Sequence, residues 1–314
     1  MSQPAEATPV PSTWLSSATV PDVVAALDAY DYLADTGLAT VVLLAVRMGR
    51  PLLLEGDPGV GKTEVAKVLS RWSGGELLRL QCYEGIDASQ ALYEWDHARQ
   101  LLHVRAVEAA ATAGGAAVDP GALDGELYQE RFLVRRPLLA AISHDPAAGP
   151  PPVLLIDELD RADDEFEAFL LELLSDWSVT IPELGVVRAA VPPLVVITSN
   201  RTRDLHDALK RRCLYHWVDH PDPARELAIL LRRVPGLQSD LAHQVAQAVA
   251  HLRTLGLYKP PGVSEAIDWA TALSTLGLRS LDADAVSATL GAVVKHREDL
   301  ERARASDLAS IGMS

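Results

Sequence analysis

The sequence predicts an α/β fold, with a parallel sheet and its helices over 21–220 and a small all-helical domain over 221–314. Three observations predict this fold. Short apolar runs of strand length recur through the first two thirds of the chain, as expected of parallel strands buried on both faces. A glycine-rich turn follows the first of these runs. Beyond 221 the apolar residues keep helical spacing.

Composition limits the class of protein. The 314 residues, 48% of them hydrophobic, can bury a large core. The formal charge of −15 argues against a dedicated nucleic-acid-binding protein. The two cysteines, Cys82 and Cys213, exclude a disulfide scaffold and a four-cysteine metal site. We expect no signal peptide, no membrane span and a cytoplasmic location, because the first residues lack Lys and Arg and no apolar stretch approaches the roughly 20 residues of a span.

The elements of the first half follow from local patterns. Residues 1–20, rich in Pro, Ser, Thr and Ala, are predicted to be a loosely ordered arm. Apolar spacing predicts two helices from Pro21 to Met48 and another from about Lys62 to Trp72. Strands are predicted at 51–55 and 76–81. The segment 82–137, with its Ala- and Gly-rich stretch, is predicted to be a flexible insertion.

The second half repeats strand and helix signals. A fully apolar run predicts a buried strand over Val153–Ile156, and a helix follows it. The segment 179–187, with turn residues at its centre, predicts a β-hairpin. Two more strands are predicted at 194–198 and 214–218. The remaining residues predict helices broken near 235–236, 260–262 and 277.

A phosphate-binding motif follows the first strand. The stretch Gly56–Thr63 matches G-x4-G-K-[ST], in which glycines let backbone N–H groups face phosphate oxygens at a helix N-terminus. Lys62 would neutralise the β- and γ-phosphates, and the Thr63 hydroxyl would ligate Mg2+. ATP and Mg2+ are therefore the expected cofactors. The predicted nucleotide-binding residues are Gly56, Asp57, Pro58, Gly59, Val60, Gly61, Lys62, Thr63 and Glu64.

An acidic pair, Asp157 and Glu158, ends the buried strand that begins at Val153. Carboxylates at the tip of a buried strand are costly without a function. Asp157 would hold Mg2+ through water, and Glu158 would activate the attacking water as a general base. The alternative, a cap for the next helix, explains one carboxylate but not both.

A polar cluster, Thr198-Ser199-Asn200, ends the next buried strand. Ligands of open α/β sheets bind beyond the carboxyl ends of the strands, so Asn200 could orient the lytic water. The alternative is a turn residue that starts the following loop.

Three consecutive cations, Lys210, Arg211 and Arg212, close a short helix before the last strand. Cations at a helix C-terminus commonly cap it. The alternative is an arginine finger that completes the site of a neighbouring subunit. The residues themselves leave both interpretations open.

Two further groups have weaker signals. Cys213, His216 and His220 have metal-like spacing, but Cys213 and His216 fall on opposite faces of a strand, which disfavours a metal site. An aromatic group in the insertion is predicted to pack in a core, with a partner contact as the alternative: Tyr83, Tyr93, Trp95 and His97.

Together these motifs resemble those of an AAA+ ATPase. Gly56–Thr63 matches its Walker A motif, Leu154–Glu158 its Walker B motif, and Asn200 its sensor 1. The stretch Asp157–Ala162 resembles the D-E-[IV]-[ND]-R-A motif of the MoxR family. Longer strings resemble the CoxD-like branch of that family: Gln81–Gly85, Ala91–Trp95, Phe132–Leu138 and Asp207–Trp217.

The resemblance implies a P-loop sheet core with a helix-2 insert and a pre-sensor-1 hairpin, followed by a helical lid over 221–314. It implies a ring, usually hexameric, with ATP between subunits. It assigns the arginine finger to Arg212, with Arg211 beside it as a further catalytic residue. Glu265 stands where the family has its sensor 2 Arg, and Lys259 or an Arg from another subunit is expected to compensate.

The resemblance also implies partners. MoxR-type ATPases resemble chaperones that act with a von Willebrand factor A (VWA) domain protein. The CoxD-like branch is linked to maturation of molybdenum hydroxylases of the CO dehydrogenase type, which makes a metalloenzyme the expected client. Two alternative functions are a DNA-directed motor or loader, disfavoured by the charge of −15, and a non-hydrolysing scaffold, disfavoured by the intact acidic pair.

Overall fold

The computed structural model describes residues 17–114 and 120–306. Its strands are β1 (Leu52–Glu55), β2 (Leu77–Gln81), β3 (Tyr93–Trp95), β4 (Leu133–Arg135), β5 (Val153–Asp157), β6 (Ser178–Ile181), β7 (Gly185–Arg188), β8 (Leu194–Ser199) and β9 (Leu214–Trp217). Five of them form a parallel sheet in the order β2-β5-β8-β1-β9. The α/β fold and its C-terminal helical region are thereby confirmed. The predicted arm lies outside the described residues over 1–16.

The helices account for most of the remaining described residues. They are α1 (Val20–Ala29), α2 (Thr36–Met48), α3 (Lys62–Ser73), α4 (Ala88–Leu92), α5 (His97–Gly114), α6 (Pro120–Leu127), α7 (Pro137–Ile142), α8 (Asp164–Asp176), α9 (Asp207–Arg212), α10 (Pro223–Arg233), α11 (Ser239–Thr254), α12 (Val263–Thr275), α13 (Ala283–Val293) and α14 (Arg297–Ala305). The two helices predicted between Pro21 and Met48 are confirmed, as are the helix breaks near 235, 260 and 277. Within the described residues, no helix combines the length and apolarity that a bilayer crossing requires.

Strand β5, which lies between β2 and β8, is buried along its whole length, which explains its unbroken apolar run. It pairs in parallel with β2 and β8, with Gln81 opposite Asp157 and Ile156 opposite Ile197. The carboxyl ends of these three strands therefore meet at one edge of the sheet, where the acidic pair and the polar cluster were predicted to act.

The segment 82–137 is more regular than the predicted flexible insertion. It contains helices α5 and α6, and the strands β3 and β4 pair antiparallel. The prediction was wrong over 97–114 because an alanine-rich stretch favours a helix, whatever its exposure. The residues 115–119 lie outside the described part of the chain. The predicted hairpin is confirmed by the antiparallel pair β6 and β7.

Contacts divide the chain into two compact units. The strand unit contains Leu44–Leu53 and Ser73–Leu214, and the helix unit contains Ala18–Leu43, Leu54–Trp72 and Tyr215–Ser314. The core of the strand unit packs β2, β5 and β8 against α4, α7 and α8. The core of the helix unit surrounds the fully buried Trp269, whose Nε1 donates to the Thr289 hydroxyl over 2.8 Å. The predicted domain boundary at residue 220 stays a prediction.

Candidate nucleotide-binding site

The predicted phosphate loop lies in the helix unit, between the end of β1 and the start of α3. Its conformation requires glycine at more than one position. Gly59 has a φ of +79°, which L side chains rarely adopt. A Cβ on Gly56 would lie 2.3 Å from the Val218 carbonyl oxygen, so no side chain fits there. The strand, loop and helix that the motif needs are therefore present.

The lysine of the motif is held against its own loop. Lys62 is buried, and its Nζ donates to the carbonyl oxygens of Gly56 over 2.7 Å and Asp57 over 2.8 Å. Thr63 follows as the second residue of α3 and is half-buried. The loop thus curls around a fixed ammonium group, the arrangement that suits a phosphate chain.

The N-terminus of α12 packs on the phosphate loop. The Val263 and Ser264 N–H groups donate to the Gly59 carbonyl over 2.9 and 3.3 Å. The Glu265 carboxylate accepts from the Gly262 N–H over 2.9 Å, which caps the helix. The same carboxylate oxygen lies 2.7 Å from where a Cβ on Gly59 would sit. Glu265, which stands where the family has its sensor 2 Arg, thus has a structural role at this position.

The capping role yields a prediction for Glu265. Glu265→Ala should lower the free energy of unfolding by about 0.5–1 kcal/mol, since an N-terminal capping acceptor is lost. Turnover should change little, or rise, because a negative charge near the phosphates is removed. Glu265→Gln keeps an acceptor and is the matched control, expected to retain most of that stability. Urea unfolding and phosphate release measure the two effects, and a loss of turnover of about 10^2-fold in both variants would contradict this assignment.

A cavity beside the phosphate loop is a candidate for the base of the nucleotide. It is lined within the helix unit by Asp31–Leu33, the loop residues Gly59–Gly61, and apolar side chains of Val218, Ile229 and Ile267. Sequence reasoning missed these residues, because they come from separate segments and share no motif. The buried Tyr32 was the one available signal, as a large aromatic residue between two predicted helices.

Charged side chains surround the same cavity. Arg225 donates to the Leu33 carbonyl and also lines the cavity. Glu64 pairs with Lys67 over 3.0 Å and with Arg233 over 3.4 Å. Burial raises the pKa of Glu64, but the hydrogen bonds and charges of Lys67 and Arg233 outweigh it and leave the pKa below its ordinary value. Glu64 is therefore ionised at neutral pH.

The start of the phosphate loop has a histidine neighbour. The His220 Nε2 lies 3.2 Å from an Asp57 carboxylate oxygen. Burial and the Arg253 charge lower the pKa of His220, although Asp57 opposes this. The imidazole is thus neutral at neutral pH and places no cation at this end of the loop.

In the strand unit, Asp157 has both carboxylate oxygens engaged. Oδ1 accepts from the Thr198 hydroxyl over 2.5 Å, and Oδ2 accepts from the Arg79 guanidinium over 2.6 and 3.1 Å. The side chain is buried, so this fixed geometry offsets the cost of burying its charge. Sequence reasoning missed Arg79, for which an alternating polar residue on β2 was the only signal.

The neighbouring Glu158 is held differently. Its backbone has a φ of +55°, and its N–H donates to the Thr198 hydroxyl over 2.9 Å. Its carboxylate accepts from Gln81 over 3.0 Å and from Arg161 over 3.2 Å, and its side chain remains one-third exposed. A carboxylate that is fixed yet reachable by water suits a general base.

The helix-capping alternative for the acidic pair is wrong for the helix that follows. Helix α8 begins at Asp164, and its cap is Asp163, whose carboxylate accepts from the Phe166 N–H over 2.9 Å. Neither Asp157 nor Glu158 is needed for that purpose.

The loop after β8 is fixed by a buried acid. The Asp160 carboxylate accepts from the Asn200 N–H over 3.1 Å and from the N–H and hydroxyl of Thr202 over 2.9 and 2.7 Å. Asp160 thereby sets the backbone at Asn200, whose half-buried side chain follows the strand end. At this edge of the sheet, Thr198 bonds to both members of the acidic pair, and Asp160 bonds to the Asn200 N–H.

The C-terminus of α9 is capped by Arg50 and not by the three cations that end the helix. The Arg50 guanidinium donates to the Arg212 carbonyl over 2.9 Å and also to the Arg211 carbonyl. Both Arg211 and Arg212 are exposed. Since Arg50 already satisfies these carbonyls, capping does not require the side chains of Arg211 and Arg212.

The two cysteines are buried thiols, and the aromatic residues of the insertion contact other side chains of the strand unit. Burial and the nearby charges of Asp157, Asp160 and Glu158 raise the pKa of Cys82 to about 12. Burial raises the pKa of Cys213 to about 12 as well, so both stay thiols at neutral pH. The aromatic residues do not form one cluster: Trp95 contacts Tyr93 and Tyr128, whereas Tyr83 bonds to Gln90 and His97 to Gln100.

The predicted magnesium ligands fit the ion chemically. Thr63 and Asp157 offer a hydroxyl and a carboxylate oxygen, and Mg2+ commonly uses one or two protein oxygens with phosphates and water. Within 17–114 and 120–306, no group of three or more His, Cys, Asp or Glu could hold a metal ion by itself. A nucleotide-dependent Mg2+ site needs no such group.

A glycine-rich phosphate loop between a buried strand and a helix, in a parallel sheet, defines the class of P-loop nucleotide-binding proteins. Residues 51–213 match the AAA domain family, dynein-related subfamily, and the chain belongs to that family. Its members are generally ATPases that bind nucleotide, usually with Mg2+, and the fold is one that forms oligomeric rings.

Solved structures similar to the chain include two of RuvB from Thermotoga maritima. One, of a point mutant, is 15% identical with a TM-score of 0.45, and the match covers 87% of this chain and 69% of that chain. The other, described as the Holliday junction branch migration motor, is 13% identical with a TM-score of 0.41, covering 90% and 69%.

Proposed function

We propose that this chain is a Mg2+-dependent ATPase that couples hydrolysis to the remodelling of a client protein. The observation that carries the proposal is the pair of carboxylates, Asp157 and Glu158, fixed at the end of a buried strand in a chain of the AAA domain family. Burial of the Asp157 carboxylate is costly and is explained by metal binding, and the one-third exposed Glu158 carboxylate beside it is explained by water activation.

Each site residue has a role in this proposal. Lys62 binds the β- and γ-phosphates, and Thr63 and Asp157 hold Mg2+, which when bound neutralises phosphate charge. Glu158 accepts a proton from the attacking water, and Asn200 orients that water. The loop Gly56–Gly61 cradles the phosphates through the backbone N–H groups of its residues other than Pro58, and Glu64 lies beside the loop on α3.

The proposal includes assembly of the subunits into a ring, in which Arg212 acts across the subunit interface. Arg212 would act as an arginine finger toward a neighbouring subunit, with Arg211 beside it. The Arg50 cap supports this role, because it removes the need for either side chain to cap α9. A hexamer is the ring size that the MoxR resemblance favours.

The client is proposed from the longer sequence strings. The four strings of the CoxD-like branch support a role in maturation of a metalloenzyme, a molybdenum hydroxylase of the CO dehydrogenase type, with a VWA-domain partner. The acidic charge of −15 supports a protein client over nucleic acid and over a DNA-directed motor.

Nucleotide binding tests the proposal. Lys62→Ala should weaken binding of a fluorescent ATP analogue at least about tenfold, because charge-assisted hydrogen bonds to the phosphates are lost. Arg297→Ala, which removes an exposed cation on α14, is the matched control and should keep wild-type affinity. Equal affinity in wild type and Lys62→Ala would contradict the site. Tight, salt-dependent binding of duplex DNA would favour the DNA-directed alternative.

A further inference from the structure

Arg79 is a charged residue of β2 that the proposed mechanism does not use. Its Nη2 and Nε lie 2.6 and 3.1 Å from Oδ2 of Asp157, and its Nη2 lies 2.6 Å from Oε1 of Gln81. The Arg79 side chain is half exposed, whereas the Asp157 side chain is 4% exposed. A half-exposed guanidinium thus pairs with a fixed, buried carboxylate.

The partners of Asp157 limit what else can reach it. The other oxygen, Oδ1, accepts the Thr198 hydroxyl, which is part of the buried strand β8. Thr198 therefore sets the position of the carboxylate without adding charge. Arg79 supplies the positive charge that makes burial of Asp157 tolerable before a metal binds.

We infer that Arg79 is a counter-cation that competes with a divalent metal for Asp157, so that Arg79 sets the metal concentration at which the site loads. The inference rests on the proposed function and adds regulation to the same site. Two cations close to one carboxylate repel each other, and this repulsion weakens metal binding. The exposed guanidinium can swing into solvent, where its charge is hydrated.

Mn2+ binding tests the inference without reference to turnover. Mn2+ replaces Mg2+ as the probe and is followed by electron paramagnetic resonance, with ADP present at saturation. Arg79→Met keeps roughly the length of the side chain and removes its charge. This variant should bind Mn2+ about tenfold more tightly, a change in binding free energy smaller than the cost of breaking a fully buried ion pair. Arg79→Lys keeps the charge, although an ammonium group cannot reproduce both N–H contacts of the guanidinium, and should bind Mn2+ less tightly than Arg79→Met does.

Three controls make the result decisive. Asp157→Asn should lose the tight Mn2+ site, which separates it from weak binding elsewhere on an acidic surface. Arg79→Gln, a polar neutral variant, should reproduce the tightening if Arg79→Met does not fold. Binding of fluorescent ADP without metal tests the phosphate loop alone.

The outcomes separate the two claims. Unchanged or weaker Mn2+ binding in both neutral variants, with ADP still bound, would overturn the role of Arg79 and leave the proposed function standing. Failure of wild type to bind ADP with or without metal would instead overturn the proposed function, and the inference with it.

Discussion

Glu158→Gln is expected to bind ATP normally and to hydrolyse it at least about 10^2-fold more slowly than wild type. An amide oxygen can still accept the hydrogen bond that Gln81 donates to this side chain, so the local structure should persist. The amide cannot accept a proton from water at neutral pH, so the general base is lost. Binding and chemistry are therefore expected to separate in this one variant.

Paired measurements test this separation. Affinity for a fluorescent ATP analogue and steady-state phosphate release are compared in wild type, Glu158→Gln and Glu165→Gln. Glu165 is an exposed carboxylate on α8 and serves as the matched control, with turnover like that of wild type. Full turnover in Glu158→Gln would remove Glu158 from the mechanism.

Arg212→Ala is expected to keep its fold and its ATP affinity and to lose about 10^3-fold or more of its turnover, the contribution typical of an arginine finger. The fold should persist because Arg50 caps α9 through main-chain carbonyls, which the substitution does not remove. If Arg212 served only the helix, its loss would cost about 0.3–1 kcal/mol of stability and leave turnover intact. Lys210→Ala, on the same helix, is the control and should hydrolyse ATP normally.

Mixing two inactive variants tests whether the site is shared between subunits. Arg212→Ala subunits retain Glu158, and Glu158→Gln subunits retain Arg212. A mixed ring contains interfaces where both residues are wild type, so some phosphate release should return. Wild-type turnover should also rise more steeply than protein concentration where subunits associate. No rescue, with turnover strictly proportional to concentration and a monomeric mass in solution, would contradict a shared site.

The fold was predictable because its signals are local. The buried strand β5 is an unbroken apolar run, and the phosphate loop is a contiguous motif between a strand and a helix. Turn residues marked the hairpin and the helix breaks. The insertion was less predictable, because an alanine- and glycine-rich stretch has the composition of a loop, yet its first residues, up to Gly114, belong to α5.

The residues of the candidate site were predictable only where they lie together in one segment of the sequence. The identities of Asp157 and Glu158 follow from their strand, but the residues that hold them come from distant segments. Arg79 and Thr198 reach Asp157 through the pairing of three strands, which no sequence spacing records. Arg50 caps α9 across more than 150 residues of sequence, and its role leaves no local pattern.

Phosphate release by the purified chain, measured with ATP in the presence of Mg2+ and again after chelation of Mg2+, tests the central claim most directly. Lys62→Ala at the same concentration supplies the background. The account predicts saturable release with Mg2+ that falls to the Lys62→Ala level when Mg2+ is removed. Release that never exceeds that level, from folded and assembled protein with Mg2+ present, would contradict the claim that this chain is a Mg2+-dependent ATPase.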